Sequence, residues 1–111
     1  MVMLFMSPKP RRFLLENGMV YTVRAKKRKL RGEYIGHDWI TDRRGGRKIA
    51  DVIVEHWMPI DKDSLETVLT HYVRWSGFLT VTEWINEIKK FNGGKLPRKL
   101  HLYRVTLIKP T

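Results

Sequence analysis

Lysine and arginine are concentrated in two short segments of this 111-residue chain. Residues 23–36 read VRAKKRKLRGEYIG, and residues 43–48 read RRGGRK. An extended backbone advances about 3.3 Å per residue, so the first segment holds its six cations within about 30 Å. Such a run suits the phosphates of a nucleic-acid strand, because the release of counterions drives binding. The residues predicted to bind the nucleic-acid backbone are Arg24, Lys26, Lys27, Arg28, Lys29, Arg31, Arg43, Arg44, Arg47 and Lys48.

The net charge of the chain fits the same interpretation and leaves alternatives open. It is +11, which favours polyanions such as RNA, DNA or an anionic membrane surface. The charge is +9 over residues 1–48, −3 over residues 49–91 and +5 over residues 92–111. If the two basic ends are neighbours in the fold, they form one basic face. Solvated loops that serve only solubility, and a surface for an acidic protein partner, are the alternatives.

Other side chains that could do chemistry lack the spacing that chemistry needs. The four histidines show neither HxxxH nor HExxH spacing, and the sequence has no phosphate-binding or nucleophile-elbow motif. It has no cysteine, which excludes disulfides and thiolate chemistry and is compatible with a cytoplasmic location. We therefore predict no catalytic residue, no metal and no cofactor. Tyr34 and Trp39 flank the basic segments and are the aromatic residues predicted to stack on bases.

Short β-branched and aromatic runs predict the strands that position these residues. They lie at residues 2–6, 19–25, 33–41, 48–60 and 100–108. The third and fourth runs are predicted to form a hairpin across the Gly-Gly turn, and Pro59 is predicted to end the fourth.

Helices are predicted mainly in the second half of the chain. Capping-box spacing begins one helix at Asp63 with Glu66 and a second at Thr80 with Glu83. The two prolines at positions 8 and 10 are expected to break the chain, which leaves one helical turn at residues 13–16.

The order of these elements predicts an α+β fold. Strands, two helices and a last strand follow one another without βαβ alternation, which favours a mixed β-barrel of five to six strands with two or three flanking helices. A chain of this length predicts a single domain over residues 1–111. No apolar run approaches the roughly 18 residues that a membrane span needs, so no membrane partner is predicted. The absence of glutamine, with only three asparagines, would suit a thermophile.

Four stretches of the sequence resemble the ASCH superfamily, whose fold is similar to the PUA domain. They read NGMVYTVR, KIADVIVEHWMPI, YVRWSGFLTVTEWINEIKKF and LYRVTLI, and the likeness covers about residues 13–108. The resemblance implies a β-barrel with flanking helices and a cleft in which family members are proposed to bind RNA. It implies a cleft lined by Thr22, Arg24, Ser76, Gly77 and Phe78.

Some relatives in that superfamily are hydrolases that deacylate acetylcytidine, and some are reported as ribonucleases. The hydrolases use a lysine, a threonine and a glutamate. Thr22 and Arg24 match the strand motif of those enzymes, but the lysine position falls on Met19 and the glutamate position falls near Ser76 and Gly77. Methionine cannot act as a base or nucleophile, and glycine has no side chain that could replace a carboxylate. We therefore expect an RNA-binding module, with DNA as a second possible ligand and the hydrolase or ribonuclease as the alternative.

Overall fold

A computed structural model describes residues 2–27 and 35–108 of the chain, and within these ranges alternating apolar residues form the strands of one curled sheet. The sheet is a mixed half-barrel of five strands with three α-helices, which confirms the predicted α+β class. The elements in chain order are β1 (Val2–Leu4), α1 (Pro8–Asn17), β2 (Met19–Arg24), β3 (Ile35–Thr41), β4 (Ala50–Asp61), α2 (Leu65–Tyr72), α3 (Val81–Lys90) and β5 (Lys99–Leu107).

The strand order in the sheet is β1-β3-β4-β5-β2. Strand β1 runs parallel to β3, and every other neighbouring pair is antiparallel. The predicted hairpin of β3 and β4 is confirmed, with Trp39 opposite Asp51. In the described part of the chain, β1 and β2 are the two edges of the sheet and do not pair with each other. We call the gap between these edges the seam.

Each face of the sheet carries a buried core, because helices cover part of each face. On the α1 face, Leu14 of α1 packs against a core to which every strand contributes. The other members of that core are Met3, Phe5, Val20, Ile40, Val52, Val54, Tyr103 and Val105. On the opposite face, α2 and α3 pack on a second core. This core comprises Tyr21, Val23, Ile60, Leu65, Leu69, Phe78, Trp84, Ile88, Leu100 and Leu102.

Proline placement corrects two of the sequence predictions. Pro8 begins α1 instead of breaking it, and the helix runs for ten residues rather than one turn. The first turn of a helix has no intrahelical partner for its N–H groups, so a proline there removes no hydrogen bond. Pro59 does not end β4, which continues to Asp61 after a bulge between His56 and Met58. A proline is tolerated beside such a bulge, where ladder hydrogen bonding is interrupted.

One of the two predicted capping boxes forms in part, and the other does not. Thr80 caps α3 by accepting a hydrogen bond from the Glu83 N–H at 3.1 Å. The Glu83 carboxylate does not return the bond to Thr80; it pairs with Lys9 of α1 instead. Asp63 does not cap α2, because a short 3-10 turn over Lys62–Ser64 precedes the helix, which begins at Leu65.

Gly77 joins α1 to the turn before α3 by a close backbone contact. Its φ is +89°, and a Cβ at this position would lie 2.7 Å from the Lys9 carbonyl oxygen and 2.8 Å from Pro10 Cα. A glycine is therefore required here, because the backbone is left-handed and no larger residue fits.

No helix in the described ranges is both long and apolar enough to cross a bilayer.

Candidate functional site

A hollow of about 470 Å³ opens at the seam between the two edges of the half-barrel. One wall comes from β1 and the residues that follow it, and a second from the end of β2 and Ala25. Helix α3 and the two residues after it supply the third wall. The lining residues used below are Phe5, Thr22, Arg24, Lys26, Arg44, Phe78, Trp84, Glu87, Phe91 and Asn92. We call this hollow the seam cleft.

Cations from two distant parts of the sequence meet at the seam cleft. Arg24 ends β2, Lys26 follows it, and Arg44 comes from the turn between β3 and β4. Arg24 and Arg44 also line an adjoining hollow of about 570 Å³, together with Trp39 and Thr41. The two hollows therefore share a cationic boundary. The predicted base-stacking residue Trp39 lies on the wall of the second hollow, half-buried.

The Arg24 guanidinium is held across the seam by an aromatic ring. Its central carbon lies 5.0 Å from the centroid of the Phe5 ring, a distance at which the cation is attracted to the π face. Phe5 is itself fixed, because its N–H donates to the Thr41 carbonyl at 2.8 Å and extends the pairing of β1 with β3. The contact places the charge of a β2 residue beside β1.

The aromatic wall of the seam cleft was only partly predicted. Phe78 lines the cleft as predicted, and it stacks on Trp84 with 6.3 Å between ring centroids. Phe91, which the sequence analysis missed, lies at the rim with 49% of its surface exposed. The sequence could have indicated Phe91, because it is an apolar residue directly after the basic last turn of α3. It lies outside the stripe of apolar residues on that helix.

Ser76 and Gly77, which were predicted to line a cleft, are not among the residues that line the seam cleft. The Ser76 side chain is fully buried. Its hydroxyl donates to the Val73 carbonyl at 2.7 Å and accepts from the Phe78 N–H at 3.0 Å. These bonds complete a tight turn, so the role of Ser76 is to hold Phe78 in place.

Among the described residues, four further predicted cations, Lys27, Arg43, Arg47 and Lys48, do not line either hollow. Lys27, Arg43 and Arg47 are exposed. Lys48 forms an ion pair with Asp51 at 3.1 Å, which offsets its charge. Arg28, Lys29, Arg31 and Tyr34 lie outside the described residues, so their predicted roles stay predictions.

A hydroxyl, an amine and a carboxylate also occur together in the seam cleft. They belong to Thr22, Lys26 and Glu87. Thr22 is buried, and no side-chain hydrogen bond joins the three groups within the described ranges. The cleft therefore contains the group types that acyl-transfer chemistry needs, without the hydrogen bond that would activate a nucleophile.

Two histidines form a pair on the α1 face, His101 on β5 next to the strand of Arg24 and His56 on β4. Nε2 of His56 lies 3.0 Å from Nδ1 of His101. Burial is the main cause that lowers the pKa of both imidazoles. The His101 ring and Lys27 add to the shift of the His56 pKa, and Lys27 and Lys99 add to the shift of the His101 pKa.

A second aromatic surface lies on the opposite face of the sheet, and we call it the Trp57 surface. It comprises Tyr21, Glu55, Trp57, Tyr72, Trp75 and Arg104. Arg104 lies 4.8 Å from the Trp57 ring centroid, and its Nη2 donates to Glu55 Oε1 at 2.6 Å. That hydrogen bond is the main cause that raises the pKa of Arg104. The pKa of Tyr21 is raised by burial.

No cluster of three or more metal-ligating side chains is present within residues 2–27 and 35–108. No protein family model matches the sequence. A search of curated proteins gave no match, and a search of solved structures gave none. The geometry of the chain's own residues is therefore the basis for a functional proposal.

Proposed function

We propose that the protein binds single-stranded RNA, with the sugar-phosphate backbone held across the seam cleft. The observation that carries the proposal is the convergence of Arg24, Lys26 and Arg44 on one recessed site. Lys26 and Arg44 form no ion pair with a carboxylate in the described part of the chain, so their charge is available to phosphates. RNA is preferred to DNA because of the sequence resemblance.

The size and lining of the cleft favour a single strand over a duplex. A hollow of about 470 Å³ suits one or two nucleotides and is too small to enclose a double helix. Phe91 at the rim and Trp39 in the adjoining hollow offer aromatic surfaces near the cations. Single-strand binding proteins combine such surfaces with a basic groove, and each stacked base contributes about 1–3 kcal/mol.

Salt dependence of binding tests the proposal. A short fluorescent oligouridylate is titrated with the protein at several salt concentrations, and anisotropy gives the affinity. Three phosphate contacts on a single strand predict a slope of log K against log salt of about −2, and six contacts, with exposed Lys27, Arg43 and Arg47 included, predict about −4. No binding at low salt, or affinity that does not change with salt, would contradict the proposal.

A charge-matched control separates the cleft from the net charge of the protein. The Lys26→Ala/Arg44→Ala variant removes two cations from the cleft, and Lys62→Ala/Lys95→Ala removes two exposed cations elsewhere. We expect the first variant to lower the magnitude of the slope by about 1.4 and the second to change it little. Equal losses in both variants would show that only the overall charge matters.

The co-occurrence of Thr22, Lys26 and Glu87 favours a second candidate, hydrolysis of an acylated nucleoside. In this reaction Thr22 would attack the acetyl carbonyl and pass its proton, through Lys26 or Glu87 as base, to the cytidine amine as the C–N bond breaks. Water would then hydrolyse the acetyl-threonine ester to release acetate, and Arg24 and Arg44 would neutralise the oxyanion. Incubation with acetylcytidine followed by chromatography tests it. Release of acetate that is lost in Thr22→Val would support this candidate, and the absence of product with the unaltered protein would reject it.

A further inference from the structure

The His56–His101 pair has a geometry that can respond to an anion. His101 lies directly opposite Arg24 on the neighbouring strand, so the two side chains share a face of the sheet. His56 lies opposite Tyr103, beside the bulge in β4. The two rings meet edge to face, with 5.2 Å between their centroids. Since Tyr103 is fully buried, it fixes one side of the pair.

Among the described residues, the charged groups that act on the pair are cations. The charge of Lys27 lowers the pKa of both imidazoles, and the charge of Lys99 lowers the pKa of His101. Arg24 lies opposite His101 on the neighbouring strand. Neither imidazole forms an ion pair with a carboxylate in the described ranges. This electrostatic field opposes a metal cation and attracts an anion. It also disfavours a proton on the pair until an anion is present.

One added proton changes which of the four ring nitrogens can donate a hydrogen bond. In the neutral pair, one N–H lies between the rings and only one outer nitrogen carries a proton. A single added proton leaves the 3.0 Å hydrogen bond intact and makes both outer nitrogens, Nδ1 of His56 and Nε2 of His101, into donors. A second added proton would put N–H groups on both facing nitrogens and break the pair.

We propose that the His56–His101 pair is a phosphate-binding site that takes up one proton from solvent when a phosphate binds. One outer N–H group of the protonated pair donates to a phosphate oxygen, with Lys27 as a neighbouring cation and Arg24 on the adjacent strand. This proposal rests on the proposed function, because the phosphate belongs to the RNA strand. That strand passes Arg24 as it leaves the seam cleft. Inorganic phosphate has the same chemistry and serves as an independent probe.

The pH dependence of RNA affinity is the first test. Oligouridylate binding is measured at about pH 6 and about pH 8, at constant ionic strength, on either side of the ordinary histidine pKa. One linked proton strengthens binding by at most about tenfold per pH unit as the pH falls. We expect this gain to be lost in His56→Gln/His101→Gln and kept in His71→Gln, which alters an exposed histidine at the end of α2. The same gain in all three proteins would overturn the proposal.

Imidazole NMR signals give the second test, which does not depend on RNA. Titration of the unaltered protein with inorganic phosphate should raise the pKa of His56 and His101, with the His71 ring signals as the control. If neither oligouridylate nor phosphate raises these pKa values while RNA still binds, the phosphate site is wrong and the RNA function stands. If phosphate raises them but no RNA binds at either pH, the site stands and the RNA function is wrong. Unfolding measured at about pH 8 checks that the glutamine variant is folded.

Discussion

The seam cleft and the Trp57 surface both combine arginine with aromatic rings, but they differ in charge balance. At the Trp57 surface, Arg104 is paired with Glu55 and packed on Trp57. At the seam cleft, Lys26 and Arg44 have no such ion pair among the residues described. Residue type alone therefore does not mark a binding surface. A cation already hydrogen-bonded to a carboxylate stabilises the fold, whereas a cation without that partner is available to a ligand.

The largest expected effect comes from removing charge at the seam cleft. Each charge-assisted hydrogen bond contributes about 1.5 kcal/mol or more, so Lys26→Ala/Arg44→Ala should weaken RNA binding by about 3 kcal/mol, roughly a hundredfold. Both side chains lie at the cleft rim, outside the two cores, so we expect the free energy of unfolding to change little. Anisotropy titration and urea unfolding measure the two quantities. Unchanged affinity in a folded variant would remove the distinction between the two surfaces.

The second prediction concerns Trp57, which has 41% of its surface exposed. Its indole N–H donates to the Tyr72 hydroxyl at 3.0 Å, and its ring meets Tyr21 edge-on. Complete loss of a buried tryptophan costs about 3–5 kcal/mol, so Trp57→Ala should cost about 2 kcal/mol at this half-buried position. RNA affinity should remain within about twofold, which is under 0.5 kcal/mol. If the free energy of RNA binding falls by more than the free energy of unfolding, the Trp57 surface binds the RNA.

The third prediction separates the ion pair from the aromatic packing. Glu55 is more buried than Arg104, with 19% and 34% of the side-chain surfaces exposed. Arg104→Met keeps an apolar chain over Trp57 but leaves the Glu55 carboxylate without this partner. We expect a loss of about 1 kcal/mol in the free energy of unfolding, because the pair is only partly buried. Glu55→Gln/Arg104→Met should recover part of that loss, and a double variant no more stable than the single one would contradict this view of the pair.

The smallest expected effect is the pH dependence of stability due to the histidine pair. The folded-state pKa values of His56 and His101 are lowered. The unfolded chain therefore binds more protons as pH falls through about 6.5, and the stability present above that pH is lost below it. Urea unfolding at about pH 5 and about pH 8 should show this loss, and His56→Gln/His101→Gln should reduce it. If His71→Gln reduced the loss by the same amount, the effect would belong to exposed histidines in general.

Local sequence patterns predicted most of the fold because their causes are local. The β-branched and aromatic run of β2 and the alternation in β4 predict these strands, and the threonine cap of α3 forms where the spacing places it. The errors arose where a neighbouring element decides the outcome. Pro8 is accommodated because it falls in the first turn of α1, and the bulge lets β4 continue past Pro59.

The site was predictable as charge but not as geometry. Arg24 and Arg44 were expected to act together, and the curl of the sheet brings both to the seam. Glu87 and Phe91 reach the cleft only because α3 packs across the gap, which no local pattern encodes. His56 and His101 are 45 positions apart, and their contact depends on the pairing of β4 with β5.

A backbone amide NMR titration of the full chain with oligouridylate tests the central claim most directly. If RNA lies across the seam cleft, the largest shift changes should occur at Phe5, Arg24, Ala25 and Gly45, while Glu55 and Trp57 change little. Changes centred on Glu55, Trp57, Tyr72 and Trp75, with Phe5 and Arg24 unaffected, would contradict the account.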